Sequence, residues 1–213
     1  MTLPLNTILN GDCLGVLPTL PAQSIDFVLT DPPYITRYRS RDGRTVRNDD
    51  NDTWLKPAFA EMHRVLCQHS YAVSFYGWPH ADRFMTAFKE AGFRVVGHLM
   101  FPKCYSSNRN TGHVKYQHEC AYLLAKGYPV PRGELPDVLP WTYTGNKLHP
   151  TQKPVSILRS LVAAFCPKGG IVLDPFAGSG SSLVAARQLG RHWMGIELDS
   201  VYHTIASERL AWT

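Results

Sequence analysis

Ile171-Val172-Leu173-Asp174-Pro175-Phe176-Ala177-Gly178-Ser179-Gly180-Ser181-Ser182 starts as a short apolar run closed by an acid. It then passes through a turn holding two glycines and enters a segment where Leu183, Val184 and Leu189 mark a helix. A run too short for a helix and bounded by such a turn reads as a buried strand. A second apolar run, Trp193 to Ile196, ends at Glu197, and Val201 to Leu210 forms a closing helix. Strand, helix, strand and helix in succession call for parallel pairing, because a crossover helix returns the chain to the same end of the sheet.

The same alternation extends toward the N-terminus. Pro154 can start a helix whose apolar face holds Val155, Leu158, Leu161, Val162 and Phe165. Strands are expected at Ile25–Thr30, Tyr71–Tyr76, Phe93–Phe101 and Glu119–Ala125, and helices at Trp54–Leu66 and Ala81–Ala91, with 102 to 118 as a polar connection. Residues 35 to 53, with arginines at 37, 39, 41, 44 and 47 and then an Asn/Asp cluster, read as a long exposed loop. The expectation is an α/β fold: a mostly parallel, twisted sheet with helices on both faces, in a single domain over residues 1–213. Ligands of such sheets lie beyond the carboxyl ends of the strands, where Asp31, Asp174 and Glu197 all fall.

Composition narrows the class. Hydrophobic residues make up 44% and charged residues 18%, which suits a packed core rather than a disordered tail. The formal net charge of +5 is compatible with a polyanionic partner, though many basic proteins never touch nucleic acid. The five cysteines (Cys13, Cys67, Cys104, Cys120, Cys166) form no C-x-x-C pair, so no metal site is expected. Their odd number suits reduced thiols in the cytoplasm. The N-terminus shows no signal peptide, and no apolar run approaches the ~18 residues of a membrane span.

Three elements carry chemistry. Asp31-Pro32-Pro33-Tyr34 directly follows the first long strand, and two prolines there remove two backbone donors and force a stiff turn. An exocyclic amine on a base is a poor nucleophile, because its lone pair is delocalised into the ring. The Asp31 carboxylate and an outward Pro32 carbonyl would give two acceptors for such an amine's hydrogens, and Tyr34 could stack on a base swung out of its helix. A diproline turn with an Asp cap is the plainer alternative. In the second element, Gly178 and Gly180 allow close approach of a ligand to a helix start. The spacing of a dinucleotide or triphosphate loop is missing, so a bare glycine pair serves equally as a tight turn. The third is Glu197, roughly twenty positions beyond that turn and suited to two ribose hydroxyls. Alone it reads as a solvated strand end. Counted with the glycines, it implies a ligand with a ribose and an anionic end, which fits S-adenosylmethionine.

These residues together resemble the β-class amino-methyltransferases of DNA, whose catalytic turn precedes the cofactor motif in the chain. Asp31-Pro32-Pro33-Tyr34 matches the catalytic motif of that family, Asp174 to Gly180 its cofactor loop and Glu197 its ribose-binding acid. Asn10-Gly11-Asp12-Cys13 and His149-Pro150-Thr151-Gln152-Lys153-Pro154 also agree. The resemblance covers nearly the whole chain and implies a Rossmann-like methyltransferase fold with permuted motif order. It implies catalysis by Asp31, Pro32, Pro33 and Tyr34, and S-adenosylmethionine held by Asp12, Asp31, Thr151, Lys153, Asp174, Phe176, Gly178, Gly180 and Glu197. Asp12 would lie near the cofactor's adenine, and Thr151 and Lys153 would close the pocket around its methionine end. Aspartate at the first position of the turn is typical of enzymes that methylate adenine N6, whereas cytosine N4 enzymes more often carry serine. Methylation at cytosine carbon 5 needs a Pro-Cys nucleophile, which is absent here.

DNA is the expected partner. The candidate contacts are Arg37, Arg39, Arg41, Arg44 and Arg47 in the basic loop at about 35–53, with Lys103, Arg109 and Lys115 in a small target-recognition segment at about 102–118. Asp42, Asp49, Asp50 and Asp52 offset the charge of that loop, so a solvated disordered loop is an equal reading. The compactness of the second segment suits a short or degenerate site, or help from a second subunit in a homodimer. A restriction enzyme partner is not legible. The rivals are an amino-methyltransferase of RNA or of protein glutamine and, in another class, a DNA-binding regulator that keeps the cofactor but not catalysis.

Overall fold

The computed structural model describes residues 3–40, 43–107 and 114–212. Among them the strands are β1 (Thr7–Asn10), β2 (Ile25–Thr30), β3 (Leu66–Phe75), β4 (Arg94–Ser107), β5 (Tyr116–Lys126), β6 (Ile171–Asp174) and β7 (His192–Glu197). They form one sheet in the order β1-β7-β6-β2-β3-β5-β4. The pairings from β1 across to β3 are parallel, and β5 and β4 close the far edge antiparallel. This is the expected α/β sheet, with the Rossmann-like methyltransferase architecture.

The helices are α1 (Cys13–Val16), α2 (Leu55–Val65), α3 (Ala81–Glu90), α4 (Val155–Phe165), α5 (Ser181–Gln188) and α6 (Ser200–Ala211). Strand β2 shows how both faces are filled: Phe27 and Leu29 pack with α4, α5 and α6, while Ile25 and Val28 pack with α1, α2 and α3. The strand therefore reads as a continuous apolar run, as a doubly covered parallel strand should.

From β6 the chain proceeds through α5 to β7 on one side, and from β2 through α2 to β3 on the other. The neighbours β6 and β2 thus mark the point where the winding reverses, and a crevice opens there past their carboxyl ends. Asp31, Asp174 and Glu197 stand beyond or at the ends of β2, β6 and β7, and Asp12 lies just past β1. Four acids are lined up by topology alone.

Three expectations change. The segment 102–118 is not simply a connection: β4 runs on to Ser107 and β5 begins at Tyr116. A strand rich in Lys, Ser and Tyr carries no apolar alternation, so periodicity misses it. The described residues of 35–53 form a loop that exposes Arg37, Arg39 and Arg47, as expected, but it is anchored from within. Asp49 is only 3% exposed and accepts from Thr36 N (3.3 Å), Thr36 Oγ1 (3.2 Å) and Tyr38 N (2.6 Å). Trp54 Nε1 donates to the carbonyls of Asn48 (3.1 Å) and Asn51 (3.0 Å), pinning the returning chain. Helix α2 ends at Val65, and Leu66 already has extended dihedrals.

Lys126, at the end of β5, closes that helix from outside. Its Nζ donates to the carbonyls of His63 and Leu66, each at 2.7 Å. Lys126→Met would leave both acceptors short of a partner and remove a cation from a helix C-terminus. A loss of about 1–2 kcal/mol is expected in urea denaturation, seen as a lower midpoint with an unchanged slope.

Candidate active site

The turn after β2 is rigid and strained. Pro32 and Pro33 are buried, and Ile35 and Arg37 follow with φ of 62° and 52°. Left-handed backbone at a β-branched residue is rare and persists only where packing over-determines it. Burial of the Ile35 side chain supplies that packing. The turn also leans on Gly77: a Cβ there would lie 2.7 Å from Tyr34 Cβ and 2.9 Å from the Tyr34 carbonyl oxygen.

Asp31 has both oxygens engaged. Lys153 Nζ donates to Oδ2 at 2.6 Å, and the Tyr34 hydroxyl donates to Oδ1 at 2.9 Å. Burial pushes the Asp31 carboxyl up and outweighs the opposing pull of Lys153. Tyr34 also reaches Glu119 Oε2 at 3.2 Å, and Glu119 Oε1 is salt-bridged to Lys103. Burial raises Glu119 too, but Lys153 and Lys103 together hold its carboxyl below the usual range. The result is one part-buried chain, Lys153–Asp31–Tyr34–Glu119–Lys103, in which a neutral phenol lies between two carboxylates, each paired with a lysine. Lys153 lies 5.2 Å from the Tyr34 ring centre and 5.0 Å from that of Phe75.

The glycine turn after β6 faces this chain across the crevice. Gly178 and Gly180 have φ of 52° and 75°, a region that costs other residues strain. Gly178 N–H donates to Glu197 Oε2 (2.7 Å) and Asp199 N–H to Glu197 Oε1 (2.8 Å), so two backbone donors fix the acid. Each oxygen keeps a lone pair for a ligand hydroxyl. Asp174 is bonded by Ser182 Oγ and by Phe176 N–H (3.1 Å), and burial pushes its carboxyl up to about 7. Phe176 meets Trp54 edge-on at 5.1 Å. His149 packs edge-on against Tyr202 at 4.3 Å, and burial pushes its pKa down to about 4, so it is neutral at pH 7.

Two hollows meet at the catalytic turn. The first, with about 1220 Å³ of empty space including its mouth, is lined by Asp12, Asp31, Pro32, Pro33, Tyr34, Thr151, Lys153, Asp174, Phe176, Gly178 and Glu197. All the cofactor and catalytic residues singled out in the sequence line it except Gly180, which starts α5 immediately beyond. The second is a wider groove lined by Tyr34, Tyr76, Trp78, Lys103, Tyr105, Tyr116, Glu119, Trp141 and Tyr143. Tyr34, Thr36, Tyr38, Thr151, Gln152 and Lys153 belong to both.

Of the candidate DNA contacts, Arg37, Arg39, Arg47 and Lys115 are exposed, and Arg44 lines the groove. Arg47 sits 3.7 Å from Asp199. Lys103 lies inside the groove, 11% exposed and paired with Glu119. Arg41 and Arg109 fall outside the described residues. Sequence reasoning misses Glu119 and Trp78, which the fold brings to the groove. Trp78 is 57% exposed and stacks on Tyr116 with ring centres 5.7 Å apart.

Comparison with known proteins agrees with this geometry. The family model described as DNA methylase, which spans N6 and N4 amino-methyltransferases, matches residues 25–208. The chain is 53% identical to "Putative methylase YubD" of Escherichia coli (strain K12), over 97% of this chain and 91% of that one. Among solved structures, the M1.HpyAVI–SAM complex superposes with a TM-score of 0.76 at 22% identity, covering 96% of this chain and 98% of the other. The PvuII DNA methyltransferase, described as cytosine-N4-specific, gives 0.79 at 17% identity, covering 95% and 85%. The chain belongs to the N6/N4 DNA methylase family.

Proposed function

We propose that this protein transfers the methyl group of S-adenosylmethionine to the N6 amino group of adenine in DNA. One observation carries the reading: Tyr34 and Lys153, at the junction where the acid-lined cofactor hollow meets the aromatic groove, hold the Asp31 carboxylate of that hollow by hydrogen bonds of 2.9 and 2.6 Å. A base reaching that junction from the groove meets a fixed acceptor on the side from which the methyl comes.

The cofactor is S-adenosylmethionine, and the first hollow suits it. Glu197 and Asp12 offer acceptors for hydroxyls and a purine amine, while the positive-φ glycine turn keeps side chains out of the way. Thr151 and Lys153 stand on the Asp31 side, where the methionine end would lie. The cofactor supplies a sulfonium-activated methyl group. The protein orients the acceptor: Asp31 and the Pro32 carbonyl take hydrogens of the amine, so that its lone pair points along the transfer line. Tyr34 stacks on the base, which must leave the duplex to reach this depth. The N–C bond would form as the C–S bond breaks, leaving the cofactor as a neutral thioether. The methylated amine would then lose its extra proton to water, so no covalent enzyme intermediate is required.

On this reading residues 1–213 work as one methyltransferase domain, with 35–53 and 102–118 contacting DNA. Glu197→Gln keeps its shape but exchanges one acceptor for a donor facing the Gly178 or Asp199 N–H. Cofactor affinity measured by calorimetry should fall about 10-fold or more, with the target base unchanged.

The base itself is tested by treating unmethylated DNA with the protein and a trideuteriomethyl cofactor, then weighing the nucleosides. Labelled N6-methyldeoxyadenosine is expected. Label on deoxycytidine alone would move the chain to the cytosine N4 enzymes.

A further inference from the structure

Tyr34 has one hydroxyl proton and two carboxylates within reach, Asp31 Oδ1 at 2.9 Å and Glu119 Oε2 at 3.2 Å. A phenol donates one full hydrogen bond at a time. The second oxygen of Asp31 is held by Lys153, and the second oxygen of Glu119 by Lys103. Both carboxylates are therefore clamped with one oxygen turned toward the same hydroxyl. The amine of a target base needs Asp31, whose two oxygens are already engaged by Lys153 and Tyr34, so a third donor arriving there weakens the Tyr34 bond to Oδ1.

We infer that Glu119 is a positioning residue: it takes over the Tyr34 hydroxyl as the target amine claims Asp31. The ring plane is then kept while the acceptor is released. Without Glu119 the hydroxyl has Asp31 as its acceptor in this network, and base and tyrosine contend for one oxygen. Lys103, whose Nζ lies 5.1 Å from the Trp141 ring centre, serves by fixing Glu119.

The inference rests on the amine binding at Asp31, and its test separates the two ideas. Single-turnover methylation of DNA is measured for the wild type, Glu119→Ala, Tyr34→Phe, the double variant and Asp31→Ala. Glu119→Ala should slow transfer about 10- to 100-fold with cofactor and DNA affinities within about 3-fold, since a charge-assisted hydrogen bond is lost at the reacting geometry. Tyr34→Phe keeps the ring and removes the competing hydroxyl, so it should lose less than Glu119→Ala. In the double variant Glu119→Ala should add less than about 3-fold, because the hydroxyl through which it acts is gone. Glu119→Gln, which keeps an acceptor oxygen, should lose several-fold less than Glu119→Ala. If removing Glu119 prevents folding, Lys103→Met/Glu119→Leu removes both charges, and its effect with and without Tyr34→Phe replaces Glu119→Ala in the same comparison. Losses that multiply in the double variant would overturn the inference while leaving the site reading intact. Full activity in Asp31→Ala would overturn the site reading itself.

Discussion

Asp31→Ala is expected to reduce methyl transfer by at least about 10³-fold while cofactor affinity stays within about 3-fold of wild type. The size follows from removing a preorganised charged acceptor from a buried site, where such a group contributes far more than in water. The Lys153 pair makes the experiment more demanding. Lys153 is only 6% exposed, and losing its carboxylate leaves an uncompensated buried charge. Alanine will therefore lower stability as well as rate, so cofactor binding must be measured beside activity. Asp31→Asn is the sharper companion. It keeps the volume and one acceptor oxygen but loses the charge facing Lys153, and a loss between wild type and alanine is expected.

Gly77→Ala should lower turnover by about 10²-fold without altering the chemistry of any group that contacts cofactor or base. A methyl at Gly77 would stand 2.7 Å from Tyr34 Cβ and 2.9 Å from its carbonyl oxygen, and neither atom is the far end of a flexible side chain that could swing aside. The turn must shift by several tenths of an ångström, carrying Tyr34 off Asp31 and Glu119. Misplacement of that order is enough to cost two decades in an in-line transfer. Cofactor affinity, set on the β6 and β7 side of the crevice, should hardly change. Steady-state kinetics and calorimetry on one preparation check both statements.

Much of this site was legible because its parts are local. Asp31-Pro32-Pro33-Tyr34, the Gly178–Gly180 turn and Glu197 each follow a strand, and in a parallel sheet every strand end on the ligand side is a carboxyl end. The apolar runs of β2 and β6 fixed their own bounds, since both faces of those strands are covered. Glu119 escaped for the converse reason. It lies near the start of β5, which runs antiparallel to β3, so the beginning of that strand faces the crevice. Nothing local in Gln117-His118-Glu119 announces the reversal.

The pairing of Lys103 with Glu119 and the extension of β4 to Ser107 were hidden in the same way, behind a polar strand without alternation, although Lys103 itself was expected at the DNA. The loop at 35–53 misled by composition. Arg37, Arg39 and Arg47 are exposed as their charge suggests, yet Asp49 is buried because three donors from residues 36 and 38 converge on it. Lys153 fell within a motif and was expected beside the cofactor's methionine end. Its ion pair with Asp31 joins residues 122 apart in the chain, a contact that only the crossover topology creates.

The most direct test is a crystal structure of the protein with demethylated cofactor and a DNA duplex containing the target base. The account predicts an extruded adenine lying on the Tyr34 ring, with its amino nitrogen within about 3 Å of an Asp31 carboxylate oxygen and facing the cofactor sulfur. An Asp31 side chain turned away from the base, or a base lodged outside the junction of the two hollows, would contradict it.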